Sequence, residues 1–389
     1  MEAETTAIPT VSAQSSDGSL VELLCDADLK RTTLALSSGD AVSTHDEVDI
    51  DDARLVPVPA KNNLIRHGVV LLPEAATPFG SVTSLLSDIE AYIARYVDLT
   101  DEFVSIASAY VLLSWVYDAF NELPYLRFRG DYGSGKTRAL LVIGSITHKP
   151  LFASGASTIS PIFHALDLFR GTLVIDESDF RMSDERAELT KILNNGNVRG
   201  FPVLRSQATP QRTFDPRAFH VFGPKIIAMR HTFDDPALES RFLTEDMGRR
   251  PLNPRIPLNL PDCQRDEARE LRNQLLSYRF ATLRETKIDD RCYDLDLSPR
   301  TNQIIVPLLS VIGDAVVRRS IQTRMAAGER AQKNERSATT EGQVLDVVLS
   351  LADERTESFV PVGDIAGAFA KRFGAEYERP ITPRYIGHL

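Results

Sequence analysis

Gly130-Asp131-Tyr132-Gly133-Ser134-Gly135-Lys136-Thr137 decides how this sequence reads. It fits G-x-x-x-x-G-K-[ST] at every fixed position. The glycines let the backbone turn tightly, so that its N–H groups converge on one point. A helix opening near Lys136 adds the positive end of its dipole there. Such a nest takes phosphate, with Gly130, Asp131, Tyr132, Gly133, Ser134 and Gly135 as the cradle. Lys136 would reach the β- and γ-phosphates, and the Thr137 hydroxyl would ligate Mg²⁺. With glycine near 7% of residues, on the order of 0.01 chance matches are expected in a chain of this length. The plain alternative is a glycine turn beside a surface lysine.

The flanks agree. Tyr125-Leu126-Arg127-Phe128 reads as a strand entering the loop, and residues 137–146 as a helix leaving it. Leu173-Val174-Ile175 is an apolar run ending in Asp176-Glu177, with Asp176 40 residues after Lys136. A buried parallel strand ends at the same sheet edge as the loop. There Asp176 would hold Mg²⁺ through water, and Glu177 would orient and deprotonate an attacking water. Residues 124–245 alternate strand-like and helix-like stretches, which predicts an α/β core with a parallel sheet and crossover helices. Ser160-Pro161 signals a helix start, and Ser183 opens a helix that stops at Gly196.

Outward from this core, residues 61–123 read as a helical lead-in: a strand over 69–73, then helices over 84–96 and 101–120. Trp115 recurs on the apolar face of the second and is expected in the core. Residues 251–320 read as a helical lid or sensor region, and 321–340 as a basic linker. Residues 341–389 read as three short helices, the last opened by Thr382-Pro383, which suggests a winged-helix-like module. A wing strand would have to follow, so the chain is expected to continue past Leu389. Residues 1–60 contain two short apolar runs, 20–24 and 34–36, that suit edge strands of a small domain; a disordered acidic leader is the alternative.

The chain has 389 residues and a net charge of −10. Residues 1–60 hold twelve acids and three bases, a net of −9, against −1 for the other 329. Global charge therefore excludes no partner. An acidic leader would keep the exterior soluble or screen a basic channel, and its deletion would then raise DNA affinity. Three scattered cysteines offer no metal-ligand spacing and fit a reducing compartment. No run of 18 apolar residues and no secretory signal occur, so a cytoplasmic protein outside the membrane is expected.

The glycine loop and the Asp176-Glu177 strand end resemble those of the AAA+ ATPases, and within them the MCM-like, superfamily III and primase-associated helicases of mobile genetic elements and phages. Phe222-Gly223-Pro224-Lys225-Ile226-Ile227-Ala228 is similar to that family's fourth core strand, and Asp235-Pro236-Ala237-Leu238-Glu239-Ser240-Arg241 to the element after it. Ser298-Pro299-Arg300 resembles the second sensor. The resemblance covers about residues 80–320. It implies that Arg241 reaches the γ-phosphate bound by a neighbouring subunit in a ring, and that Arg300 also serves the nucleotide. The first sensor is usually Asn, but Ala228-Met229-Arg230-His231 has none, which leaves Arg230 for that place. For Arg241 the alternative is a surface salt bridge.

Residues 197–218 are too long for a plain connection. They read as a hairpin: strand 201–205, polar tip 206–212, return 214–219. The resemblance implies a hairpin pointing into a ring channel. Arg205, Gln207, Gln211 and Arg212 would then contact a nucleic-acid backbone without reading sequence. An ordinary surface hairpin is the alternative. Arg384, Tyr385 and His388 on the last helix would face DNA if the C-terminal module is a DNA-binding one. The implied function is an ATP- and Mg²⁺-dependent motor, a homo-oligomeric ring acting on single-stranded or forked DNA. The alternative is an AAA+ protein remodeller or a defence-system switch ATPase. A non-catalytic scaffold is disfavoured by Glu177, which a binding-only site does not need.

Overall fold

The computed structural model describes residues 7–39, 41–176, 183–208, 214–337, 340–353, 359–374, 377, 380 and 382–388. The chain divides into two compact units, Met1–Ser320 and Ile321–Leu389.

The first unit opens with β structure. β1 (Ile8–Thr10), β6 (Val48–Ile50) and β7 (Ala53–Pro57) form one sheet with β7 in the middle. Asp51 and Asp52, at φ 48° and 63°, make the two-residue turn between β6 and β7, the left-handed pair that a tight hairpin requires. β2 (Ser12–Gln14), β3 (Leu20–Asp26), β4 (Arg31–Ser38) and β5 (Ala41–His45) form an antiparallel sheet in that order. The runs expected as edge strands are thus β3 and β4, the two central ones. The consecutive apolar residues of β3 reflect burial on both faces: Val21 and Leu23 on one face and Leu20 and Leu24 on the other are all buried.

After α1 (Asn63–Arg66), the 69–73 run makes only a single bridge, Val70 to Leu151, rather than a strand. α2 (Val82–Tyr96) and α3 (Asp101–Trp115) follow, capped by the Ser81 and Thr100 side chains. α3 ends five residues earlier than its apolar pattern predicts, because a 3-10 turn over Tyr117–Ala119 takes over. Trp115 is fully buried, its indole N–H donating to the Ile146 carbonyl at 3.0 Å.

The α/β core then alternates β8 (Tyr125–Arg129), α4 (Lys136–Gly144), β9 (Leu151–Ser154), α5 (Ile159–Phe169), β10 (Leu173–Asp176) and α6 (Ser183–Gly196). α5 begins at Ile159 after Thr158, so Pro161 lies inside the first turn, where a missing N–H does no harm. β11 (Val203–Ala208) and β12 (Phe214–Phe219) pair as an antiparallel hairpin, and β13 (Lys225–Met229), α7 (Pro236–Glu239) and β14 (Phe242–Asp246) complete the core. Among the described residues the central sheet has five parallel strands in the order β14-β8-β13-β10-β9.

α8 (Cys263–Thr282) and α9 (Pro299–Ser310) close the first unit. α10 (Ala315–Ser337) occupies most of the stretch read as a linker. Its Ala, Arg, Gln and Glu content and lack of proline favour a helix more than its polarity favours a coil. In the second unit, α11 (Thr340–Asp353), α12 (Val362–Phe373) and α13 (Pro383–Ile386) bury Val344, Val347, Ile365, Phe369 and Ile386 together. No strand occurs among that unit's described residues. No helix among the described residues is long and apolar enough to cross a membrane.

A buried charge network joins the N-terminal strands to the α/β core. Glu22 of β3 accepts from Arg279 of α8 at 2.7 Å and pairs with Lys149 at 2.7 Å. Arg279 also donates to Asp118 at 2.6 Å and to the Trp115 carbonyl at 2.6 Å. Burial alone would raise the Glu22 carboxyl, but the Lys149 and Arg279 charges hold it well below the usual range. Two carboxylates face two cations, so the cluster is neutral overall. Residues 7–57 are therefore no detachable acidic leader.

Candidate nucleotide site

β8 delivers the chain to the glycine loop, and α4 begins at Lys136. Gly135 caps α4 at φ 91° and Gly133 sits at φ 73°. A Cβ on Gly130 would meet the Met247 carbonyl oxygen at 2.6 Å and Ser134 Oγ at 2.8 Å. These glycines are thus required by backbone conformation and by contact. Lys136 Nζ donates to the Gly130 and Asp131 carbonyls at 2.6 and 2.7 Å, which keeps its charge inside the loop.

Asp176 closes β10. Thr137 Oγ1 donates to Asp176 Oδ2 at 2.7 Å, so two residues far apart in sequence meet at one corner. Mg²⁺ usually keeps several waters and takes one or two protein oxygens, often with phosphates. A hydroxyl and a carboxylate beside a phosphate-type loop suit that donor set. Among the described residues no cluster of three or more His, Cys, Asp or Glu forms a separate metal site. Glu177 lies outside the described residues.

β13 lies between β8 and β10, so its C-terminal end falls between the loop and Asp176. Arg230 follows that end, its guanidinium carbon 3.7 Å from the centre of the Tyr132 ring. A cavity of about 940 Å³ opens here. Its far wall is the stretch 246–258, which sequence reasoning missed. Arg129 holds Asp246 through two hydrogen bonds of 2.6 and 3.0 Å. Burial would raise the Asp246 carboxyl, but Arg129 outweighs it and keeps it below its usual value. Asp98 accepts from the Asn253 N–H at 2.9 Å and from Arg250 at 3.3 Å. Arg138, just inside α4, donates to the Pro257 and Leu258 carbonyls. The one local signal was Met247-Gly248-Arg249-Arg250, a glycine with two bases directly after a strand.

Arg241 and Arg300 are elsewhere. β14 runs parallel to β8, with Phe242 beside Tyr125 and Asp246 beside Arg129. Arg241 therefore lies at the opposite end of the sheet from its own glycine loop, about 16 Å away along the strand. Its guanidinium donates to the Leu193 carbonyl at 3.1 Å and to Asn194 at 2.7 Å, at the end of α6. Burial lowers its pKa. Arg300 Nε lies 3.4 Å from the Ser240 hydroxyl, at that same end. Arg300 is thus not a ligand of this chain's own glycine loop; the motif-like Ser298-Pro299 before it is a helix cap.

Of the proposed nucleic-acid residues, Gln211 and Arg212 lie outside the described residues, and Gln207 lies in β11. Arg205 pairs with Glu188 of α6 and stacks 4.6 Å over the Phe163 ring. Its cross-strand partner is Arg217, which the sequence reading passed over. Lys225 fixes the hairpin's base: its buried ammonium donates to the Gly196, Val221 and Gly223 carbonyls at 3.2, 2.8 and 3.0 Å. Burial pulls its pKa down to about 7. In the second unit Arg384, Tyr385 and His388 are exposed.

No family model and no curated protein matches the sequence. Two solved structures are similar in outline. One is the apo A form of the NrS-1 C-terminal region, with 11% identity, 95% of this chain and 90% of that one covered, and a TM-score of 0.32. The other is SCCmec type IV Cch, described as an active helicase, with 13% identity, 90% and 64% coverage, and a TM-score of 0.38. Likeness this loose assigns neither a family nor an activity.

Proposed function

We propose that this chain is an ATP-hydrolysing motor of AAA+ type that acts as a ring-forming DNA helicase or translocase. The observation that carries the nucleotide half is the meeting of Thr137 and Asp176 at 2.7 Å beside the Lys136 loop. The loop N–H groups and Lys136 would bind the phosphates and offset charge that develops on the transferred phosphoryl group. Thr137 and Asp176 would hold Mg²⁺, which supplies further charge neutralisation there. Glu177, next to Asp176 in sequence, would take the proton of the attacking water.

The sheet order supports the AAA+ assignment, since the inserted β13 brings Arg230 between the loop and Asp176. The place of Arg241 supports a ring. It lies too far from its own glycine loop to serve that nucleotide, so a nucleotide role for it would be toward a second copy's, in competition with its bonds to Leu193 and Asn194. The hairpin, with Arg205 and Arg217 side by side, is the proposed DNA contact.

The motor reading is tested by ATPase and strand-displacement assays on the wild type, with and without single-stranded DNA. DNA-stimulated turnover together with displacement supports it; turnover indifferent to DNA and no displacement overturns it. A protein-directed AAA+ ATPase is the second reading. It is favoured by the ion pair that ties Arg205 to Glu188, and by Phe201 and Leu204, which are 63% and 65% exposed at the start of the hairpin.

A further inference from the structure

We infer that Tyr132 is a positioning residue for hydrolysis, its ring face holding the Arg230 guanidinium at the place where the terminal phosphate of ATP would lie. The inference rests on the ATP-site reading and deepens it.

The motif does not call for an aromatic here. G-x-x-x-x-G-K-[ST] leaves this position open, because the turn needs only its glycines. Tyr132 is 74% exposed, so its ring faces the open loop rather than the core. Its face meets Arg230 at 3.7 Å, well within the range of cation–π attraction. Both side chains line the cavity.

The two reach this contact from different strands, Tyr132 after β8 and Arg230 after β13. Those strands are hydrogen-bonded neighbours, with Met229 beside Arg129. The sheet therefore fixes the distance between the two backbones, and the stack selects among the Arg230 rotamers. A planar guanidinium suits this task, since it stacks on a ring and still presents N–H groups at its edge. Those edge donors could meet charge on the transferred phosphoryl oxygens while the ring stays behind them.

An exposed stack of this kind changes the population of the held conformer by a factor of about 2–5. That factor appears in turnover rather than in nucleotide affinity, because the loop N–H groups and Lys136 bind the phosphates independently. The ring face does the work, so the hydroxyl is dispensable.

The test uses the full chain with ATP and Mg²⁺, measuring kcat and KM for the wild type, Tyr132→Phe, Tyr132→Ala, Arg230→Ala and the Tyr132→Ala/Arg230→Ala double variant. Tyr132→Phe should stay within about twofold of the wild type. Tyr132→Ala should lose about 2–5-fold in kcat with KM nearly unchanged, and should add nothing in the Arg230→Ala background. The inference is overturned if Tyr132→Phe is as slow as Tyr132→Ala, if the two losses multiply, or if the loss falls on KM alone. A wild type that neither binds nor hydrolyses ATP overturns the ATP-site reading and this inference with it, a result distinct from the others.

Discussion

Acidification tests the buried charge network through His148. This imidazole is fully buried between Trp115 and Tyr117, with ring centres 5.0 and 6.0 Å away. Burial, reinforced by the Lys149 and Arg279 cations, pulls its pKa from 6.5 to about 4. The Glu22 carboxylate at 3.5 Å pulls the other way without overcoming them. The folded chain thus keeps His148 neutral while the unfolded chain protonates it below about pH 6.5. Between the two values the unfolded state binds more protons, so stability falls as pH falls. His148 alone should therefore remove about 2 kcal/mol between pH 7 and pH 5, from about 1.36 kcal/mol per pKa unit. Below about pH 4.5 the depressed Glu22 adds a loss of the same sign. The assay is urea unfolding of the wild type and His148→Phe across this range. The Glu22 carboxylate, 3.5 Å from Nε2, is the one polar group near the ring that phenylalanine would release, and it keeps Lys149 and Arg279. His148→Phe should flatten the slope between pH 7 and pH 5. An equal slope in both proteins would refute the reasoning.

Glu22→Gln leaves Lys149 and Arg279 with an uncompensated buried charge, and should cost about 3–5 kcal/mol in the same unfolding assay. Deleting residues 1–60 should likewise give an unstable or insoluble chain rather than one with raised DNA affinity, as solubility and thermal melting would report. Gly130→Ala should abolish nucleotide binding, measured by fluorescent-nucleotide titration, because its Cβ would meet the Met247 carbonyl oxygen at 2.6 Å. Lys136→Ala should lower ATPase at least 100-fold, on the order of losing one main charge-stabilising donor. Arg241→Ala and Glu177→Gln, each inactive alone, should regain ATPase when mixed, since only a mixed interface holds one intact site; equal inactivity would count against a shared site.

The corner where the glycine loop, Thr137 and Asp176 meet was legible because its requirements are local. Positive φ at Gly133 and Gly135 and the short strand before them leave a pattern in consecutive residues. Asp176 was legible because a buried strand ending in an acid is also a local pattern. The place of Arg300 was not legible, because a helix cap and a sensor share the same Ser-Pro-Arg signature, and only the strand direction tells that it lies beside Ser240 at the end of the sheet away from its own glycine loop. The wall at 246–258 carries no periodicity, being held by isolated contacts to Asp98, Arg129 and Arg138. The buried network was invisible for a similar reason. Glu22, Lys149 and Arg279 read one by one as surface charges, and nothing in sequence announces that they meet. The N-terminal acid count could not choose between a leader and a small domain, because it does not tell that Glu22 is buried.

That network also sets an order for synthesis. Glu22 and Arg279 are separated by 257 residues. At about 5–20 residues per second, the ribosome reaches Arg279 roughly 13–51 s after Glu22. Throughout that interval Glu22 has no cation from α8, and Lys149 is its one cation already made by about the midpoint. The first sheet made is therefore completed in its charge network only when α8 arrives. A nascent chain of this protein thus holds a buried carboxylate one cation short until α8 is made.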